Sequence, residues 1–138
     1  MSLREPEIIE FLNRYDWKKA EIWPIPGDAS FRHYARIIHD EKKQRGILMD
    51  APPAKEEVAP FLNVRAYLHG RGYSAPALIA ADEKAGLLLL EDFGDLSFSR
   101  LIREMPEREG KLYRLATEAL LKLRQDGLSG YPAIPEYD

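Results

Sequence analysis

The sequence predicts an α+β fold: a five-stranded, mainly antiparallel sheet with a helix packed on it. Three observations carry that expectation. Five short apolar runs are bounded by turn residues, and the clearest alternates Phe31, His33, Ala35 and Ile37 against Arg32, Tyr34 and Arg36. The turns that join the first three runs to one another, and the fourth to the fifth, are short, which favours antiparallel neighbours. Helical periodicity appears before the first run, between the third and fourth, and after the fifth.

Each element has its own warrant. Ile8, Phe11, Leu12 and Tyr15 share one face at helical spacing, so a helix runs from Pro6 to about Tyr15, with proline tolerated in the first turn. AEIWPIP (20–26) and FRHYARIIH (31–39) read as strands joined by the tight turn GDAS, and DEKKQRG returns the chain into GILMD (46–50), completing a meander. The prolines of APPAKEE break the sheet, because two prolines cannot continue a central strand. A second helix follows from about Val58 to His69, with Pro60 in its first turn, Phe61, Val64 and Leu68 as its stripe, and Gly70 and Gly72 as its stop. ALIAADEKAGLLLLE forms a hairpin of Ala77 to Ala81 and Leu87 to Glu91 around a turn ending at Gly86. Beyond Gly94, Leu112, Leu115, Ala116, Ala119 and Leu123 mark one long amphipathic helix ending near Gly127, and the tail SGYPAIPEYD has no periodicity.

Composition removes several function classes. Apolar residues at 45% and charged ones at 31% describe a soluble globular chain. No aliphatic run exceeds Leu87 to Leu90, far short of a membrane span. MSLREPEIIEF lacks the basic and apolar regions of a secretory signal, and the absence of cysteine fits a reducing cytoplasm. Net charge is −3, and the densest basic cluster, EKKQR (41–45), reads as a solvated turn, so no nucleic-acid partner is expected.

The strand Leu87 to Leu90 runs into Glu91-Asp92-Phe93-Gly94, and an Asp-Phe-Gly holds magnesium in protein kinases. That role requires a catalytic His-x-Asp upstream, and the three histidines, in His33-Tyr-Ala, His39-Asp-Glu and His69-Gly-Arg, supply none. The tripeptide is therefore not expected to be a metal site. A strand end offering one carbonyl and one N–H to an adenine edge fits the order of parts, and so does a strand that simply ends in a glycine turn.

GDASFRHYARI, ILMDAPP, the helix from Val58 and GLLLLEDFGD, in that order, resemble the N-terminal part of the aminoglycoside phosphotransferase superfamily. Within it, the chain is most similar to the bacterial cell-wall sugar kinases that phosphorylate N-acetylmuramate and N-acetylglucosamine at the anomeric position. The resemblance implies a protein-kinase-like N-terminal lobe with its hinge over 1–95, and a linker with the first helices toward a C-terminal lobe over 96–138. It implies ATP with magnesium, the metal ligands and catalytic residues lying in the absent C-terminal lobe, so the chain alone would be inactive. Gly27, Asp28, Ala29 and Ser30 would form the turn over the nucleotide phosphates, with Arg32 reaching a phosphate. Leu90 would line the adenine pocket, and the backbone of Glu91 and Phe93 would hold the base.

Met49 stands where most of the superfamily has a strand lysine, leaving Arg32, Arg36 and Lys55 as replacement cations. Glu56 and Glu57 are expected to be solvated acids at a helix start. Leu112, Leu115, Ala119 and Leu123 would cover part of the missing lobe, or self-associate when uncovered. Two alternatives stay open: a non-catalytic nucleotide-binding or interaction module, and a kinase of the same superfamily acting on another small alcohol such as an aminoglycoside.

Overall fold

The computed structural model describes residues 3–27 and 30–127. Asp28, Ala29 and the tail SGYPAIPEYD lie outside the described residues. The chain divides into two compact units, the described residues of the first ending at Asp92 and those of the second beginning at Phe93.

The first unit opens with helix α1 (Glu5–Arg14), whose first turn carries Pro6 together with the favourable acids Glu5 and Glu7. Strands β1 (Glu21–Ile25), β2 (His33–His39) and β3 (Gln44–Asp50) form the expected meander. Helix α2 (Ala59–Gly70) follows, then β4 (Leu78–Asp82) and β5 (Leu87–Leu90). The sheet order is β1-β2-β3-β5-β4, and every pairing is antiparallel.

That order explains the four consecutive leucines. Beside β3, β5 is an inner strand covered on both faces, so its side chains have no solvent side to alternate with. Leu87 and Leu89 join a cluster with Ala35, Ile37, Leu48 and α1 residues Ile8, Phe11 and Leu12. Leu88 and Leu90 point the other way, into a second cluster with Met49, Ala51 and Val58. On that face α2 contributes only the half-buried Phe61 and Leu62, and Val64, expected in its stripe, is exposed.

Two tertiary details hold the strand ends. Asp50, at the end of β3, has no solvent exposure. Its Oδ2 accepts from the Arg4 backbone N–H at 3.0 Å and its Oδ1 from Arg4 Nε at 2.8 Å, while Arg4 Nη2 also donates to the Ala85 carbonyl at 2.6 Å. Gly86 has φ +69°, and a Cβ there would stand 1.9 Å from the Ala51 carbonyl oxygen, so only glycine fits. Its own carbonyl accepts from Ala51 N–H at 2.8 Å.

The second unit is helical. Helix α3 (Phe98–Glu104) is capped by Ser97, whose hydroxyl accepts from Arg100 N–H at 3.2 Å. A 3₁₀ turn, Pro106–Arg108, leads into helix α4 (Glu109–Asp126), which stops at Gly127 with φ +63°. Of the apolar stripe expected on α4, Leu112 is buried while Leu115 and Leu123 are exposed. No helix among the described residues is long and apolar enough to cross a membrane.

Candidate functional site

Alternation along the strands sorts the side chains of the sheet. With Ala35 and Ile37 buried toward α1, Tyr34 and Arg36 lie on the α2 face. The pairing register then sets Trp23, Arg36, Ile47 and Leu90 side by side across four strands. Residues of the β1–β2 turn, the segment before α2 and the end of β5 meet this face.

The cations on it are not equivalent. Arg32 is fixed by an ion pair from its Nε to Glu56 Oε2, and its guanidinium lies 5.6 Å from the centre of the Phe61 ring. Burial pulls the Arg32 pKa down, but the hydrogen bond and charge of Glu56, with a smaller contribution from Tyr34, outweigh it and hold the guanidinium above its ordinary value. Glu56 is therefore not the solvated acid its position before α2 suggested: the tertiary fold brings a guanidinium to it, which sequence spacing could not reveal. Glu57 is exposed, as expected.

Arg36 donates from Nε to Asp92 Oδ2 at 2.7 Å and from Nη2 to Oδ1 at 3.3 Å. The Asp92 side chain is only 5% exposed. The acid of the Asp-Phe-Gly is thus consumed by an arginine. Lys55 differs from both arginines: its ammonium sits 5.6 Å from the centre of the Phe31 ring, and it forms no ion pair among the described residues.

The residues proposed for the phosphate turn are partly in view. Gly27 is exposed, and Ser30 Oγ accepts the Arg32 backbone N–H at 2.9 Å, closing the turn on its β2 side. At the other end of the face, Leu90 is 4% exposed and packed among Met49, Ala51, Val58 and Leu88. Glu91 N–H donates to the Ala77 carbonyl at 2.9 Å, which ties the end of β5 to the segment before β4. Phe93 opens the second unit with its ring exposed.

A cavity of about 560 Å³ lies on the α1 side of the β1–β2 turn, lined by Arg4, Glu5, Ile25, Gly27, His33 and Tyr34. His33 Nε2 is buried there without a hydrogen-bond partner among the described residues. Glu5 and Glu7 make the neighbouring helix start unfavourable for a phosphate, so this cavity and the α2 face are chemically distinct. Among the described residues, no group of three His, Cys, Asp or Glu side chains converges on a metal position.

Comparison with known proteins finds no matching family model. Three curated relatives, each named N-acetylmuramate/N-acetylglucosamine kinase, are similar to the chain. The Pseudomonas aeruginosa protein is 34% identical over 119 residues, 86% of this chain and 33% of its own length. The Caulobacter vibrioides protein is 31% identical over an alignment of 164 residues, 99% of this chain and 44% of its own length. The Neisseria meningitidis serogroup B protein is 33% identical over 113 residues, 80% of this chain and 32% of its own length. Over most of its length, this chain is a homologue of 32–44% of the length of proteins that carry that kinase name.

Proposed function

We propose that the chain is the nucleotide-binding part of an ATP-dependent kinase acting on a cell-wall amino sugar, N-acetylmuramate or N-acetylglucosamine. The observation that carries this is the run of similarity to proteins so named, covering 80–99% of the chain. The nucleotide lies along the α2 face, its phosphates under the Gly27 to Ser30 turn and its base at the Glu91 carbonyl and Phe93 N–H. The catalytic base and the metal ligands belong to the share of the relatives' length that these 138 residues do not match. When magnesium is bound, it neutralises charge on the transferred phosphoryl group. No residue described here is given the role of holding it. On the same reading, the protein works in the cytoplasm, in peptidoglycan recycling. Self-association on α4 is reduced to Leu115, Ala119 and Leu123, because Leu112 is buried.

Among the three cations considered for the phosphates, the ion pairs of Arg32 and Arg36 point to Lys55. An arginine already held by a carboxylate has less charge to offer an incoming anion, whereas an ammonium resting on an aromatic ring can swing to one. Equilibrium dialysis of the chain against ATP tests both levels. We expect measurable binding, and a loss of about three- to tenfold for Lys55→Met, in the range of one charge-assisted hydrogen bond. Absence of ATP binding by the folded wild type overturns the nucleotide assignment. Unchanged affinity in Lys55→Met overturns the assignment of Lys55 alone.

A further inference from the structure

Two pairs of adjacent residues meet at the start of β2. Lys55 and Glu56 leave one short turn, in which their backbone N–H groups both donate to the Pro52 carbonyl, at 2.9 and 3.0 Å. Phe31 and Arg32 lie directly before β2. Lys55 reaches the Phe31 ring, and Glu56 reaches Arg32, which itself lies over the Phe61 ring. Two cations and one acid therefore come together, and the acid opposes an incoming phosphate. Glu56 Oε2 accepts from Arg32 Nε, on one edge of the guanidinium fork that suits oxyanions.

Exposure separates this pair from the two that hold strand ends, Arg4–Asp50 and Arg36–Asp92. Asp50 is closed to solvent, and the Asp92 side chain nearly so. Arg32 and Glu56 keep 27% and 22% of their side chains exposed, so a solute reaches both. A pair this open adds little to stability, because water screens it and both side chains lose freedom in forming it. Rotation of the Glu56 side chain alone frees Arg32. The turn backbone stays held by Pro52, and the guanidinium keeps the Phe61 ring as its platform.

We propose that Glu56 is a resident competitor for the nucleotide phosphates: its carboxylate occupies the edge of Arg32 that a phosphate oxygen would take, so binding there is an exchange. This rests on the nucleotide reading above. Lys55, resting on an aromatic ring, is the first cation a phosphate meets, and Arg32 is one it must win from Glu56. A competitor of this kind weakens substrate and product alike, and so favours release of the spent nucleotide.

The test is calorimetric binding of ATP and inorganic tripolyphosphate at fixed ionic strength, with thermal unfolding as the folding check. The proteins are the wild type, Glu56→Gln, Glu57→Gln and the double variant Glu56→Gln/Arg32→Met. We expect Glu56→Gln to bind both ligands about three- to tenfold more tightly, the size of one net hydrogen bond. Glu57→Gln removes the same charge from an exposed neighbour and should change affinity less than about twofold. The double variant should lose the gain. Unchanged or weaker binding by folded Glu56→Gln overturns the proposal. Equal tightening by Glu57→Gln makes the effect one of net charge and overturns it too, as does a gain that survives Arg32→Met. A readout without substitution is the NMR signal of the Arg32 Nε–H in the wild type, which should move as tripolyphosphate is added. A signal that stays fixed while the ligand saturates overturns the exchange, whether or not Glu56→Gln folds. Failure of ATP to bind either the folded wild type or folded Glu56→Gln defeats the nucleotide reading itself, a result distinct from any of these.

Discussion

Helices α1 and α2 lie on opposite faces of one sheet, yet α1 buries Ile8, Phe11 and Leu12 while α2 buries no residue at all. The α1 face is closed along its middle by apolar packing, with the ion pairs Arg4–Asp50 and Arg14–Asp82 at the two ends of the helix. The α2 face carries the ion pairs of Arg32 with Glu56 and Arg36 with Asp92 beside only half-buried rings, together with the exposed indole of Trp23. Apolar burial supplies most of a fold's stability, and fixed charges at a surface supply recognition. The difference teaches that the two faces of one sheet are covered by different means, apolar burial under α1 and half-buried rings with ion pairs under α2.

The most direct way to break this comparison is to truncate an aromatic on each helix. Phe11→Ala should cost about 3–5 kcal/mol, since its ring is buried in the main cluster. Phe61→Ala should cost only about 1–2 kcal/mol, because the ring is half-buried at the edge of the second cluster. Chemical denaturation measures both, and equal losses would mean that the two faces share the work of stability.

A smaller effect, of about 2–3 kcal/mol, is expected for Gly86→Ala. It combines a left-handed φ with a Cβ driven into the Ala51 carbonyl, and this contact ties the β4–β5 turn to the segment that enters α2. An unchanged midpoint would show that the turn can shift without disturbing the sheet.

The smallest effect is a pH dependence on the α1 side. Ala85 N–H and then Arg14 hold the Asp82 carboxyl below its ordinary value. Arg14 donates to Asp82 Oδ2 at 2.8 Å. A depressed folded pKa contributes stability above the unfolded value of about 3.9, and that contribution is lost as pH falls through the folded value. The melting temperature of the wild type should therefore exceed that of Asp82→Asn near neutral pH, and the gap should close below about pH 4. A gap that persists at low pH would mean that the carboxylate charge is not what matters.

The sequence by itself determined the elements and much of their chemistry. Alternation in FRHYARIIH, helical spacing from Ile8 to Tyr15, and the proline and glycine stops are local signals, and the structure realises them within about two residues. Gly86 was legible as a turn residue, but its close contact with Ala51 was not. The turn residues Gly27 and Ser30, and the strand end Leu90-Glu91, were legible only as letters in a familiar order. Tertiary structure alone decided that β5 enters beside β3, which turns four consecutive leucines into two separate cores. It also decided that Glu56 meets Arg32, Asp92 meets Arg36, and Asp50 meets Arg4 across 24, 56 and 46 positions of chain. The physical reason is range. Backbone propensity and side-chain periodicity act over a few residues, whereas an ion pair depends on which strands lie side by side, and that is settled by the packing of the whole sheet.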